Sequence, residues 1–267
     1  MSTTSSAPSN GTGVSTVKDS VQQQFNQAAA AYTTSPIHAS GPDLPEMVKA
    51  ANVTGQEQLL DAGCGTGHTA LYFAPHVAQV VALDLSVSML AQGSKLAAER
   101  AITNVEFRQG DAEHLPFAEA SFDIVTTRYS AHHWPNPLAA LREFRRVLRP
   151  SGRLLIGDIV SWDDYTLDTH FQTIELLRDP SHVRDHTIEQ WLSLLDQAGF
   201  ETDIPHTWEV PIEFASWIKR INTPAPQAEM IRTILSNAPL DVQKAFKMQP
   251  DSSFTMQAAL LRGLPRH

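Results

Sequence analysis

The residue types best suited to chemistry stand together in Leu60-Asp61-Ala62-Gly63-Cys64-Gly65-Thr66-Gly67, an apolar run that breaks into glycines ahead of a helical stretch. Glycines at 63, 65 and 67 permit positive φ and close approach of backbone to a ligand, and the helix start offers unpaired N–H groups. Asp84 ends the next apolar run, where a carboxylate can accept two ribose hydroxyls. The pattern points to a nucleoside. A dinucleotide fingerprint needs its third glycine at the position His68 holds, one residue beyond Gly67. An NAD-dependent oxidoreductase is therefore the weaker alternative. Asp61 is badly placed beside a pyrophosphate but well placed to receive an amino group. The expected cofactor carries an ammonium and no phosphates, as S-adenosylmethionine does.

A second group of reactive side chains is Arg128-Tyr129-Ser130-Ala131-His132-His133-Trp134. It follows another apolar run, where ligands of parallel sheets collect. His133, then His132, are the candidates for a base or substrate contact, since imidazole suits proton transfer near neutral pH. The plain structural alternative is a histidine packed beneath Trp134. Arg128 either lines the cofactor pocket, orients an acidic or carbonyl substrate, or forms a salt bridge at a strand end. Tyr129, His38, Asp158, His182 and Arg184 are further candidate substrate contacts. The spacing of His182 and His186 suits helical metal ligation, but Pro180 and the polar surroundings read as a loop, and no metal is expected.

These residues need a scaffold. Short apolar runs at 58–62, 79–85, 105–109, 122–127 and 153–160 alternate with helical patterns at 69–73, 88–101 and 138–148. Such alternation predicts right-handed crossovers and a parallel sheet covered on both faces. Further helices are predicted over 17–34, 43–51, 168–178 and 187–198, two or three short ones over 213–248, and strands over 200–210 and 254–261. Residues 1–16 read as a disordered tail and 17–52 as a helical lid. Residues 53–267 form the main domain, with cap segments at about 161–186 and 211–250. The face Leu138, Leu141, Phe144, Leu148 reads as core, with the arginines at 142, 145, 146 and 149 on its solvated side.

The chain has 267 residues, 42% of them hydrophobic and 18% charged, enough to bury a full core. Its net charge of −9 disfavours nucleic acid and anionic membrane surfaces. One cysteine, Cys64, excludes an internal disulfide and thiolate clusters. No apolar run approaches the roughly 18 residues of a membrane span, and no basic-then-apolar leader is visible. A cytoplasmic protein acting on a small molecule is expected, with a homodimer possible.

Taken in order, the glycine turn LDAGCGTG, Asp84 in VVALDLS, Gly110-Asp111-Ala112-Glu113-His114-Leu115-Pro116-Phe117, Phe122-Asp123-Ile124-Val125 and Leu148-Arg149-Pro150-Ser151-Gly152-Arg153-Leu154 resemble the motifs of class I S-adenosylmethionine-dependent methyltransferases. The resemblance covers about residues 57–160 and continues more weakly to 200. It departs at Ser151, where glycine is commoner. It implies a Rossmann-like, doubly wound α/β fold with a seven-stranded sheet, its last strand antiparallel, and helical cap insertions. By the same resemblance Asp111 bonds the adenine amino group, the Ala112 backbone meets a ring nitrogen, and Leu85 and Met89 pack on the adenine faces. Tyr32, on the lid, touches the methionine carboxylate. The stretch 128–134 lacks the Pro-Pro signature of amino-group methyltransferases and is similar to the ubiquinone/menaquinone biosynthesis group, so a phenolic or quinone-like acceptor is expected. A non-catalytic cofactor-binding module is the other alternative.

Overall fold

The computed structural model describes residues 16–33 and 36–266. The tail predicted over 1–16 lies, but for Thr16, outside them. Chain order is α1 (Val17–Thr33), α2 (Pro36–Ala39), α3 (Asp43–Ala51), β1 (Gln58–Ala62), α4 (His68–Phe73), β2 (Gln79–Asp84), α5 (Val87–Glu99), β3 (Val105–Gln109), β4 (Phe122–Arg128), α6 (Pro137–Val147) and β5 (Leu148–Val160). Then follow α7 (Tyr165–Arg178), α8 (Ile188–Gln197), β6 (Phe200–Ile212), α9 (Phe214–Arg220), α10 (Ala225–Ser236), α11 (Leu240–Ala245) and β7 (Phe254–Pro265). The seven strands form one sheet in the order β3-β2-β1-β4-β5-β7-β6. Strands β1 to β5 run parallel, and β7 is antiparallel to both β5 and β6.

Strand residues alternate between two cores because side chains point to opposite faces with a period of two. Leu60, Val125, Leu154 and Leu261 face one core with Leu141, Phe144, Trp191 and Leu195 of α6 and α8. Leu59, Ile124, Leu155 and Leu260 face the other, with Met47, Ala51 and Phe73 of α3 and α4. Helix α6 is set by Pro137 in its first turn and by Asn136, whose side chain accepts from the Ala139 N–H. A third core joins α7, α9, α10 and α11 to the far ends of β6 and β7, around Phe171, Trp217, Phe246 and Phe254.

Several boundaries differ from the sequence reading, among them that of β7, which runs on to Pro265 instead of ending at Leu261. Strand β5 begins at Leu148 instead of Arg153, with Leu148 paired to Phe122 before an irregularity in register. Pro150 is the cause: it biases Arg149 toward extended backbone, so the helix stops at Val147 and a strand follows at once. Helix α7 starts at Tyr165, three residues early, because Asp164 caps it by accepting from the Thr166 and Leu167 N–H groups. Strand β6 runs two residues beyond its predicted end, to Ile212. Among the described residues no helix is long and apolar enough to cross a membrane.

Candidate functional site

The sheet reverses its strand order between β1 and β4, and a cavity of about 910 Å³ is lined by the residues that follow these strands. Gly63 has φ 72°, and a Cβ there would fall 2.1 Å from Ser130 Oγ. Only glycine lets the two loops meet. Gly65, at φ 54°, has nothing within 4 Å of the Cβ position, so its bare backbone fronts open space. The Gly65 N–H donates to Asp84 Oδ2 (2.8 Å) and the Ser86 N–H to Asp84 Oδ1 (2.8 Å). Each oxygen keeps a lone pair for a further donor. Burial raises the Asp84 pKa against these bonds.

Leu85, Met89, Gly110, Asp111 and Ala112 line the same cavity. Burial works against ionisation of Asp111, but the Lys18 ammonium, the Glu113 N–H and His114 hold its carboxyl below the usual range. Lys18, on α1, reaches both Asp111 and Glu113 at 2.6 Å. Further along α1, Gln22 donates to the Leu85 carbonyl (2.9 Å) and Asn26 accepts from the Ser86 hydroxyl (2.7 Å). Helix α1 thus lies across one side of the cavity, with Phe25 and Tyr32 lining it.

The histidine pair divides its roles. His132 Nδ1 lies 2.8 Å from Asp158 Oδ1. Burial alone would lower the His132 pKa, but the Asp158 carboxylate outweighs it and lifts the pKa to about 9. Asp158 is saturated, for it also accepts from the Ala131, Ser130 and Ile159 N–H groups. His132, Asp158 and Asp185 are close enough to hold a metal ion, but these four donors already occupy the central carboxylate. His133 is held the other way. Burial, then the charge of His132, push its pKa down to about 4. Its Nδ1–H donates to the Ser181 carbonyl (3.1 Å), so Nε2 is the acceptor atom of a neutral ring that lines the cavity.

A second cavity, of about 510 Å³, adjoins the first and shares Tyr32, His38 and Tyr129 with it. His132, Glu175, Arg178, Asp185 and Arg220 line it, with apolar walls from Ile159, Val210, Ile212, Trp217 and Met256. The rings of Phe25, Tyr32, His38 and Tyr129 stand in succession at centroid separations of 5.5, 4.7 and 5.7 Å. Tyr129 takes φ 50°, its N–H donates to the Gly157 carbonyl, and its hydroxyl accepts from Trp208 Nε1 (3.2 Å).

Several expected contacts lie elsewhere. Asp61 lies behind the turn, 1% exposed, accepting from the Ala70 N–H (3.1 Å) and the Thr126 hydroxyl (3.0 Å). Burial pushes its carboxyl up to about 7. It props the loop from beneath, as does Gly67, which opens α4 at φ 77°. Arg128 lines the cavity edge-on while pairing with the fully buried Asp43 and donating to the His38 carbonyl (2.9 Å). The salt bridge is observed, and it fastens α3 to β4. Asp158 acts through His132 and the loop amides. His182 Nε2–H donates to Gln172 Oε1 (3.1 Å), and Arg184 pairs with Asp168 (2.7 Å). The Val183 and Arg184 N–H groups both donate to the His132 carbonyl. That segment supports the histidines from outside either cavity.

The first cavity fits an ammonium-bearing nucleoside. Gly65 leaves a cradle that a Cβ would fill. His68 supplies a buried Nδ1 with no partner among the described residues, on a ring that lines the space. The sequence reading used His68 only to count glycines; its motif position gave no sign of this orientation.

Residues 60–156 match the family model described as "Methyltransferase domain". The chain is 37% identical over 247 residues to the "Uncharacterized methyltransferase YcgJ" of Bacillus subtilis, covering 91% of this chain and 98% of that one. The crystal structure of YcgJ superposes with a TM-score of 0.81 over 84% of this chain and 98% of that chain. The "Uncharacterized protein YafE" of Escherichia coli is 42% identical over 194 residues, 73% of this chain and 94% of that one. The "Ubiquinone/menaquinone biosynthesis C-methyltransferase UbiE" of Cellvibrio japonicus is 36% identical over 175 residues, 57% of this chain and 70% of that one.

Proposed function

The chain belongs to the class I S-adenosylmethionine-dependent methyltransferases, and we propose that its acceptor is a small molecule seated in the second cavity, with its reacting atom turned toward His133. The observation that carries this reading is the junction of the two cavities at Tyr32, His38 and Tyr129, beside a neutral imidazole. The similarity to UbiE, a C-methyltransferase of quinone biosynthesis by its name, supports a phenolic or quinone-like ring as acceptor.

When bound, S-adenosylmethionine would supply an activated methyl group for in-line transfer to the acceptor, with S-adenosylhomocysteine as the leaving group. In our reading, Gly63, Gly65, Asp84, Leu85, Met89, Asp111 and Ala112 hold the cofactor, with Tyr32 and His68 at its amino-acid end. Aromatic side chains and α1 keep water from the junction. His133 Nε2 accepts the hydrogen bond of an acceptor hydroxyl and takes its proton, which raises electron density at the oxygen and at the ring carbons that could receive the methyl group. A weak base suffices, because such a proton becomes strongly acidic during transfer. His132 holds its own proton on the Asp158 side and keeps its neighbour neutral.

The test is transfer of labelled methyl from S-adenosylmethionine into a fractionated bacterial extract, read by mass spectrometry. A small molecule heavier by one CH2 is expected, with less of it from His133→Ala at unchanged S-adenosylhomocysteine affinity. Label confined to protein or RNA would overturn the acceptor reading.

A further inference from the structure

The second cavity carries charge that the transfer of a methyl group does not require. Arg178 ends α7 and Arg220 ends α9, and both line it. Arg178 is occupied. Its Nε donates to the Trp217 carbonyl (3.2 Å), its guanidinium lies 4.9 Å over the Trp217 ring, and Nη1 stands 3.6 Å from Glu175. Arg220 is half-buried and has no hydrogen-bond or ion-pair partner among the described residues. Its strongest electrostatic neighbour is the like charge of Arg178, with Tyr32 and Glu175 acting in its favour.

A guanidinium taken partly out of water beside another cation is costly unless an anion meets it. The fixed carboxylates of the cavity do not. Glu175 is on the Arg178 side, Asp158 is saturated by His132 and backbone amides, and burial raises the Asp185 carboxyl well above its usual range. Ile159, Val210, Ile212, Trp217 and Met256 supply apolar walls, and Tyr32, His38, Tyr129 and His132 line the side toward the first cavity without adding a carboxylate. The planar fork of an arginine matches a carboxylate or a phosphate. Glu175, a carboxylate in the same cavity, disfavours a dianion, which leaves the carboxylate.

We propose that Arg220, backed by Arg178, binds a carboxylate of the methyl acceptor, so that the substrate is an acid with an apolar, ring-sized body instead of a neutral ring. This rests on the reading of the second cavity as the acceptor site.

Calorimetry on the full chain loaded with S-adenosylhomocysteine tests it with benzoate, benzamide and phenyl phosphate as probes. Benzoate should bind about tenfold to a hundredfold more tightly than benzamide, the range of one charge-assisted contact. Arg220→Gln should abolish that preference while S-adenosylhomocysteine affinity holds, and Arg220→Lys should retain part of it. Equal binding of benzoate and benzamide, no measurable benzoate binding, or a preference that survives Arg220→Gln would overturn the proposal. Phenyl phosphate binding more tightly than benzoate would overturn the carboxylate assignment. Failure of the wild-type chain to bind S-adenosylhomocysteine would instead strike at the cofactor site, a separate result.

Discussion

Asp61 and Asp84 end neighbouring parallel strands, yet their surroundings give them different work. Asp61 spends its oxygens on Ala70 and Thr126 beneath the turn, whereas Asp84 keeps acceptor capacity on the cavity side. Asp84→Ala is expected to weaken S-adenosylhomocysteine binding by roughly 1.5–3 kcal/mol, the loss typical of charged hydrogen bonds; calorimetry showing unchanged affinity would remove Asp84 from the ribose. The histidines show the same division by environment. His132 is raised from 6.5 to about 9, so it binds a proton in the folded chain that the unfolded chain has released. Its stabilisation is complete below pH 6.5 and is lost as pH climbs through about 9. His133 is lowered to about 4, and its contribution is complete above pH 6.5 and lost as pH falls toward 4. Urea denaturation across pH 4–10 should show both limbs, each no steeper than about 1.4 kcal/mol per pH unit. Asp158→Asn should flatten the alkaline limb, and a limb left unchanged would mean that Asp158 does not set the charge of His132.

Helix α1 illustrates what a single element adds to a ready-made sheet. Lys18, Gln22 and Asn26 recur at helical spacing and reach Asp111, Leu85 and Ser86, the loops after β3 and β2. Lys18 also occupies the carboxylate expected to meet the adenine. Lys18→Ala should therefore speed release of S-adenosylhomocysteine severalfold in stopped flow, within the ~0–1 kcal/mol range of a partly exposed pair. Release at the wild-type rate would show that α1 does not restrain the cofactor. The sequence foretold this helix and all seven strands, because apolar period and glycine turns are local signals. The turn at 63–67, Asp84 and the histidine pair were legible for the same reason. Arg178 and Arg220 were not. They stand 42 positions apart at the ends of unremarkable helices, and only the folding of α7 and α9 onto β6 and β7 brings them to one cavity. The orientation of His182 and Arg184 was hidden in the opposite sense: a polar loop rich in reactive types turns its backbone to His132 and its side chains to Gln172 and Asp168.

The whole molecule separates its two tasks along the sheet. The parallel strands β1 to β4, with the loops after them and α1, contribute the first cavity, while β6, β7 and the helices packed on them contribute most of the second. The helices of the antiparallel edge have a core of their own, although β7 also sends Leu260 and Leu261 into the other two. Trp217 is central to the second half: 1% exposed, edge-on to Phe254 at 5.2 Å, beneath the Arg178 guanidinium and in the cavity wall. Trp217→Ala should cost about 3–5 kcal/mol of stability through the cavity it leaves. If the halves are energetically distinct, that loss falls on the antiparallel edge and on acceptor binding. S-adenosylhomocysteine affinity at temperatures where the variant stays folded should then hold within about twofold, since sites that share no partners behave additively. Denaturation and calorimetry on one preparation decide the matter. Cofactor affinity falling in step with stability would mean that the second core is part of the cofactor site. Unchanged affinity would show that this fold can rebuild its acceptor half without disturbing the half that holds the donor.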